Sequence, residues 1–266
     1  VATFDGTSFA PWGNGIGLGG QGSSGVFTLA EFDDGSGPAI YAGGRFSSMD
    51  GIALRNIARY NVTNGAWESL GPQLIFTGGA FDSIQDMVVF DDGNGPALYV
   101  AGDGVVVPGD GNEYLRAKWD GTAWTGLGQT LSGRITNLEV WDDGSGPALY
   151  MSGTATFEVN YFAKLEGNTW VPVLGSGVNN PPVSGNFSSA FGLYVWGDDL
   201  LVGGNFSQVG GLDPVTGIGM GQPIPSRGLA AVTPADPSCG AADLTDLKII
   251  LGSQLGGDLD DLRTSD

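Results

Sequence analysis

The chain has 266 residues, among them 48 glycines and 14 prolines, and 41% of it is hydrophobic, which predicts a folded, turn-rich, all-β protein and excludes a disordered one. Its net charge of −19 repels phosphate backbones and anionic lipid headgroups, which excludes nucleic acid and membrane insertion as partners. The chain has no histidine, and its single cysteine, Cys239, excludes an intrachain disulfide and a cysteine-only zinc site. Because the commonest general base is missing, we expect no enzymatic activity.

One sequence pattern recurs four times along the chain. The aromatic residues that stand just before the Gly- and Asp-rich turn of each copy are Phe32, Phe90, Trp141 and Trp196. Their spacings are 58, 51 and 55 residues. A second recurring feature of the pattern is a tryptophan, at Trp12, Trp67, Trp124 and Trp170. The spacing indicates one supersecondary unit that recurs.

Each copy predicts four short strands, a to d, because runs rich in Val, Ile, Tyr, Phe and Trp alternate with Gly, Asp, Asn and Pro. In the first full unit these strands lie near residues 27–32, 39–43, 56–61 and 66–70. Four antiparallel strands repeated about every 50 residues are typical of a β-propeller blade. The pairs Gly43–Gly44 and Gly203–Gly204 are predicted to let backbones approach closely, or alternatively to serve turns and bulges.

The blades set the predicted domain organisation, an all-β propeller over residues 1–234. The predicted blades are about 24–72, 74–128, 133–175 and 186–233. Residues 1–14 read as strands c and d and complete the last blade, which closes a ring of four blades. A ring of five blades, or an end strand donated to a neighbouring molecule, is the alternative. Residues 235–266 form a C-terminal tail with a short helix at 241–255, where leucine and isoleucine recur at helical spacing.

Residues 40–71 contain a Gly pair, an aromatic residue, a loop and then a tryptophan-bearing strand. This pattern resembles the repeats of secreted bacterial propeller proteins and of the propeller in fungal cortical cell-polarity markers, and is similar to kelch repeats. The resemblance covers about residues 1–232 and implies a binding or scaffolding propeller with no catalytic residue set. The helix at 241–255 resembles half of a dockerin-like cassette without its calcium loop.

The pattern of Asp120, Gly121, Thr122 and Trp124 returns more loosely near the N-terminus at residues 5–7. It resembles the Asp-box turn of sialidase propellers, in which the turn is structural. A sialidase would also need an arginine triad and a tyrosine–carboxylate pair, and the spacing of the arginines here does not support them.

Acidic turns between strands a and b offer candidate metal ligands. The repeated aspartates of these turns are Asp33, Asp34, Asp91, Asp92, Asp142 and Asp143. Ca²⁺ is the cofactor that clustered hard oxygens would hold. The simpler interpretation is turn chemistry, in which Asp caps the turn and Gly takes a positive φ.

Loops between strands b and c vary most among the copies, so they are the predicted binding face. The polar candidates for ligand binding there are Asp50, Arg55, Asp103, Asp110, Glu113, Arg116 and Asp213. The alternative is that these side chains are simply solvated.

The sequence therefore predicts a non-catalytic, extracellular binding or scaffolding propeller with a protein or glycan partner. Self-association through terminal-strand sharing is part of this prediction. Secretion is what the resemblance to secreted propeller proteins implies; the start at Val1 fits a mature protein after loss of its signal peptide and fits a trimmed chain equally well. The alternative is a carbohydrate-active hydrolase that uses two facing carboxylates in an axial pocket, about 5–10 Å apart.

Overall fold

The computed structural model describes most of the chain, and the fold below concerns those residues only. They are residues 2–17, 24–71, 73–76, 82–107, 113–128, 133–154, 161–173, 178–179, 189–209, 224–225, 228–232, 234 and 249–251. The chain divides into two compact units, residues 1–138 and 139–266. The described residues form strands and no helix, so none of their elements is a helix long and apolar enough to cross a membrane.

Two small strand pairs come from the N-terminal segment. The first three strands are β1 (Ala2–Phe4), β2 (Phe9–Pro11) and β3 (Ile16–Gly17). Strand β1 pairs with β2 as a hairpin, and β3 pairs with β6 (Ser48–Met49). The side chain of Trp12 packs against Tyr60 and Trp67, with ring centroids 4.6 and 5.5 Å apart, which fixes the segment between β2 and β3 to the first large sheet.

Four antiparallel sheets of four main strands each form the body of the fold. The first sheet contains β4 (Gly25–Asp33), β5 (Pro38–Arg45), β7 (Ile57–Asn61) and β8 (Ala66–Glu68). The second contains β10 (Ser83–Asp91), β11 (Pro96–Val106), β12 (Glu113–Trp119) and β13 (Trp124–Gly126), with β9 (Ile75–Phe76) beside β11. The third contains β14 (Ile135–Asp142), β15 (Pro147–Gly153), β16 (Phe162–Glu166) and β17 (Thr169–Pro172).

The fourth sheet lies within the second unit. It contains β19 (Ser189–Trp196), β20 (Asp199–Asn205), β23 (Leu229–Val232) and β24 (Ile249–Leu251). A small sheet in the same unit contains β18 (Val178–Asn179), β21 (Gln208–Val209) and β22 (Ile224–Pro225). Several four-stranded antiparallel sheets with one repeated order are compatible with a propeller-like fold.

A β-bulge recurs at the start of the first strand in three sheets. The register shifts between Val26 and Thr28, between Ile84 and Asp86, and between Ala190 and Gly192. Opposite these bulges stand Gly44, Gly102 and Gly204, where an added Cβ would lie 2.1, 1.9 and 2.2 Å from a backbone oxygen of the partner strand. Glycine therefore stands opposite each bulge because a side chain there would clash with the backbone of the partner strand.

Close approach between sheets uses the other glycine of the pair. A Cβ on Gly43 would lie 2.7 Å from a methyl carbon of Ile84 in the second sheet. Gly44 thus has the predicted use in a bulge, whereas Gly43 makes room for a side chain of the next sheet and not for its backbone.

Successive sheets pack face to face within each unit. In the first unit Phe32, Tyr41 and Ile57 of the first sheet share a core with Ile84 and Met87 of the second. In the second unit the core joins two sets of buried residues. Those of the third sheet include Trp141, Tyr150 and Phe162, and those of the fourth include Leu193, Leu200 and Val202. The repeat spacing makes Phe32 equivalent to Trp141, so one packing geometry occurs in both units.

The C-terminal helix predicted over residues 241–255 is wrong for Ile249–Leu251, which form strand β24 beside β23. Two consecutive β-branched isoleucines favour a strand, and β23 offers them an open edge of backbone groups. The other residues of the predicted helix lie outside the described part of the chain. Completion of the last blade by residues 1–14, the closed ring and the number of blades stay predictions.

Candidate functional site

The acidic turns between the first two strands of three sheets have one hydrogen-bond pattern. Oδ1 of Asp33 accepts bonds from the backbone N–H groups of Gly35 and Gly37 at 2.9 and 3.0 Å. Asp91 and Asp142 do the same at 2.8 and 2.9 Å from the two equivalent glycines. The first aspartate of each turn therefore satisfies backbone donors, as the turn interpretation predicts.

The second aspartate of each turn joins a cluster with a tyrosine and a cation. Tyr41 donates to Oδ2 of Asp34 at 2.8 Å, and the Nε of Arg59 lies 3.6 Å from the same oxygen. In the third sheet Tyr150 and Lys164 donate to Oδ2 of Asp143 at 3.0 and 2.5 Å.

The second sheet has the same three residue types, but the hydroxyl of Tyr99 makes no hydrogen bond there. Lys118 donates to Oδ2 of Asp92 at 2.6 Å, and its Nζ lies 5.8 Å from the ring centre of Tyr99. Tyrosine and cation face each other across neighbouring strands in all three sheets. We call these three groups the Tyr–Asp–cation clusters.

These clusters hold their carboxylates ionised. Burial opposes the charge of Asp92, but hydrogen bonds from Lys118 and Asn94 outweigh it and lower the pKa of Asp92 to about 2. Burial likewise opposes the charge of Asp143, and bonds from Lys164 and Ser145 lower its pKa to about 2. The pKa of Asp34 is also below its ordinary value, because bonds from Ser36, Tyr41 and Trp119 outweigh burial.

The tyrosines shift in the opposite direction. Burial, followed by the adjacent carboxylate, raises the pKa values of Tyr41, Tyr99 and Tyr150. All three phenols therefore stay neutral, and those of Tyr41 and Tyr150 donate to ionised carboxylates. The carboxylate of each cluster is thus paired with groups of the same cluster.

Two hairpins carry the turn that resembles an Asp-box. Oδ1 of Asp120 accepts from the backbone and hydroxyl of Thr122 at 2.8 and 2.7 Å, and from the backbone of Ala123 at 2.8 Å. Oδ1 of Asp5 accepts from Thr7 and Ser8 in the same way, each at 2.8 Å. The same local sequence thus forms the same turn in the N-terminal hairpin and in the second sheet.

The predicted calcium ligands are all acceptors for protein donors. Asp33, Asp91 and Asp142 bond to backbone N–H groups, and Asp34, Asp92 and Asp143 take part in the Tyr–Asp–cation clusters. Within the described ranges there is no group of three or more acidic or cysteine side chains that could hold a metal ion. Calcium binding stays a prediction.

A buried carboxylate of the first unit, that of Asp86 in β10, accepts hydrogen bonds from residues at equivalent positions of the repeat. Oδ1 of Asp86 accepts from the hydroxyl of Thr28 at 3.0 Å, and Oδ2 accepts from Nδ2 of Asn137 and the backbone of Leu138 at 2.7 and 2.8 Å. Thr28, Asp86 and Asn137 are equivalent in the repeat. Burial raises the pKa of Asp86 above its ordinary value despite these bonds.

The predicted ligand-binding residues do not form one cluster in the described structure. Asp50 accepts from the backbone and side chain of Asn14, both at 2.6 Å. Arg55 pairs with Asp82 at 3.2 Å, and Asp103 pairs with Arg134 at 3.2 Å.

Two further candidates lie on strand β12, and two lie outside the described residues. Arg116 is fully buried, at a position where the first and third sheets have Ile57 and Phe162. The backbone of Glu113 is in the same strand, and its side chain is outside the described part. Asp110 and Asp213 are outside it as well. Ligand binding by these residues stays a prediction.

Sequence reasoning missed the Tyr–Asp–cation clusters. A signal was present, because a tyrosine stands seven residues after the second aspartate in three copies, and a cation stands in strand c of each. The fourth copy has Leu201 and Ala231 at those positions, opposite each other in the sheet.

The N-terminal hairpin is the most exposed part of the described sheets. Among the described residues β1 pairs only with β2, and every residue of both strands is exposed. Phe4 and Phe9 are 58% and 77% exposed, whereas the equivalent Trp119 and Trp124 are buried in the second sheet. This hairpin has the form of strands c and d with an open edge.

No protein-family profile matches the chain, and no curated protein sequence matches it either. The resemblance to secreted, kelch-like and fungal polarity-marker propellers therefore stays a prediction.

Proposed function

We propose that this protein is a non-catalytic, extracellular β-propeller that scaffolds an assembly by sharing terminal strands between neighbouring molecules. The four sheets are its four blades, and their sequence repeats resemble kelch repeats. The observation that carries the proposal is the open edge of β1 in a hairpin whose aromatic side chains are exposed. Protein or glycan partners would bind at the variable loops between the second and third strands.

The edge of β1 offers specific backbone groups. The backbone N–H of Asp5 donates to the carbonyl of Ser8, so Asp5 and Ser8 form a hydrogen-bonded pair. Bonded and non-bonded pairs alternate in an antiparallel ladder, which places Phe4 and Phe9 in a non-bonded pair. The N–H and C=O of Phe4 therefore point away from β2, toward an added strand.

The internal pairing of charged groups also supports a structural function. The repeated carboxylates pair with cations in three sheets and with tyrosines in two of them, which uses the groups that catalysis would need. A scaffold needs rigid blades, and the Tyr–Asp–cation clusters tie three strands of a blade together.

The variant Phe4→Pro tests strand sharing, because proline removes the outward N–H while an edge strand tolerates it. Phe4→Val is the matched control, since it also loses the ring but keeps the donor. We expect the unsubstituted chain to grow in mass with concentration in sedimentation velocity, Phe4→Val to do the same, and Phe4→Pro to lose this growth. A chain that stays monomeric at every concentration would contradict the proposal.

One observation favours the alternative of a carbohydrate-active hydrolase. The buried Asp86 has a raised pKa, which is a property of general acids in such enzymes. The test is release of reducing sugars from a panel of polysaccharides by the unsubstituted chain and by Asp86→Asn. Release that is lost in Asp86→Asn supports the hydrolase, and no release from any member of the panel rejects it.

A further inference from the structure

The two edges of strand β1 differ in their partners. One edge pairs with β2, in the register Ala2–Pro11, Thr3–Ala10 and Phe4–Phe9. Pro11 has no backbone N–H, which fits a non-bonded pair with Ala2, as the alternation from the non-bonded pair of Phe4 also requires. The backbone groups of Ala2 and Phe4 therefore point toward the other edge, which has no partner strand among the described residues.

This open edge is complementary to itself. If two copies of β1 pair antiparallel with Thr3 opposite Thr3 on a two-fold axis, Ala2 of each copy stands opposite Phe4 of the other. Both residues point their N–H and C=O outward, so each of the two pairs makes two hydrogen bonds and the strands make four. An axis through Ala2 or through Phe4 aligns one such pair and makes two. The register with Thr3 on the axis therefore uses every outward group of β1.

The side chains of the hairpin fit this register. Ala2, Phe4, Phe9 and Pro11 lie on one face, because directly opposite residues share a face. The four-stranded sheet of two hairpins would therefore have one face that is apolar throughout. The rings of Phe4 and Phe9 already contact each other, with centroids 4.7 Å apart. In the paired strands each Phe4 ring lies beside Ala2 of the other copy, and the two Phe4 rings are diagonal neighbours within reach of each other.

The charge distribution favours a contact between two copies at this hairpin. Each chain has a net charge of −19, so two copies repel each other. Residues 2–17 contain one charged side chain, Asp5, and β1 and β2 contain none. The two copies of Asp5 would lie at opposite ends of the paired strands, about 14 Å apart along them at about 3.4 Å per residue. This separation exceeds the screening length of about 8 Å at physiological salt.

We propose that this protein forms a two-fold symmetric dimer in which β1 pairs antiparallel with β1 of a second copy, with Thr3 opposite Thr3. This proposal rests on the proposed scaffolding function and names the partner strand. The same surface is used by both copies, so the contact is isologous and closes at two chains. Strand sharing between β1 and a different strand of the neighbour is head to tail and has no such limit.

A disulfide across the two-fold axis tests the register. The background is Cys239→Ser, which removes the single native thiol. Thr3→Cys in this background places two thiols in a non-bonded pair, in which the Cα atoms are about 4.5 Å apart. Disulfides join Cα atoms about 4.4–6.8 Å apart. With oxidised glutathione as the oxidant, we expect Thr3→Cys to give a covalent dimer on non-reducing electrophoresis.

Ala10→Cys in the same background is the matched control. Ala10 lies opposite Thr3 on the same face and is exposed as well. In the dimer its two copies are three strand spacings apart, about 14 Å, so we expect no covalent dimer from it. Equal crosslinking of Ala10→Cys and Thr3→Cys would show random collision and contradict the proposal.

The backbone donor of Phe4 gives a second test. Adding Phe4→Pro to Thr3→Cys removes two of the four hydrogen bonds and should slow the crosslink about tenfold or more. Adding Phe4→Val instead keeps both donors, and the crosslink should form at nearly the rate of Thr3→Cys alone. Equal rates for the proline and valine variants would contradict pairing through this edge.

The mass of the unsubstituted chain separates this inference from the proposed function. Growth that stops at the dimer in sedimentation velocity, together with the Thr3→Cys crosslink, supports the two-fold dimer. Absence of that crosslink contradicts the dimer, and if the mass still grows with concentration, strand sharing stands with another partner strand. An unsubstituted chain that is monomeric at every concentration contradicts both proposals.

Discussion

The first and fourth sheets are built from one repeat, yet the same positions have different environments. Phe32 is buried behind the second sheet, whereas Trp196 at the equivalent position is 38% exposed. The first sheet has the Tyr–Asp–cation cluster of Asp34, Tyr41 and Arg59, and the fourth has none at the corresponding positions among its described residues. The comparison shows that burial belongs to the neighbouring sheet and not to the strand that carries the residue.

The largest expected difference concerns Phe32 and Trp196, the aromatic residues at equivalent positions of the first and fourth sheets. Phe32→Ala removes a ring from a packed core and should lower the free energy of unfolding by about 3–5 kcal/mol. Trp196→Ala removes a half-exposed ring and should cost about 0.5 kcal/mol. Urea denaturation at concentrations where the chain is monomeric measures both. Equal losses of unfolding free energy would show that the two rings are equally buried.

The next effect concerns the cation of the first cluster. Arg59 is 4% exposed and bonds to Glu68, to Ser36 at 2.8 Å and to the carbonyl of Gly37 at 3.0 Å. Arg59→Ala leaves Asp34 without its buried cation and should cost about 3 kcal/mol in the same denaturation experiment. Ala231→Val in the fourth sheet is the control, and we expect a smaller loss there. A loss below that of the control would contradict a structural role for the cluster.

A smaller effect separates the two equivalent glycines. Gly43→Ala places a methyl group against Ile84 and should destabilise the protein by about 1–3 kcal/mol. Gly203→Ala meets open space and should be neutral or stabilise by about 0.4–1 kcal/mol, because it restricts the unfolded chain. Thermal unfolding of the two variants side by side gives the comparison. Destabilisation by Gly203→Ala would mean that its face is covered in the monomer.

The smallest effect is a pH dependence that arises in the second and third sheets. Asp92 and Asp143 have folded-state pKa values of about 2, below the unfolded value of about 3.9. Their contribution to stability is present above about pH 4 and is lost as the pH falls through about 2. Lys118→Met and Lys164→Met should raise these pKa values and flatten the stability profile between those limits. Titration followed by NMR of the carboxyl carbons measures the pKa values directly, and unchanged values in both variants would refute the pairing.

Local sequence patterns were sufficient to predict the turns. The sequences around Asp33, Asp91 and Asp142 contain the acceptor and the glycines that make each turn, so the turn interpretation follows from neighbouring residues. The four-strand repeat follows from its period for the same reason. The Asp5 and Asp120 turns also agree, because the hydrogen bonds that each aspartate accepts span at most three residues.

Contacts between distant residues were not predictable in the same way. The cluster of Asp34 and Arg59 depends on the register of three strands, and the bond between Thr28 and Asp86 joins two sheets. The predicted helix included Ile249–Leu251, because periodicity cannot report that β23 has an open edge. Arg116 was predicted as a loop residue and is buried in a strand.

The sequence by itself determined the all-β class, the repeated four-stranded unit and the chemistry of its turns, since these depend on residues a few positions apart. Only the tertiary structure decided which faces are covered, which carboxylates are paired and which edge stays open. The physical reason is that burial and ion pairing depend on what the next sheet places within a few ångströms. The repeated sequence is nearly the same whether or not that sheet is there.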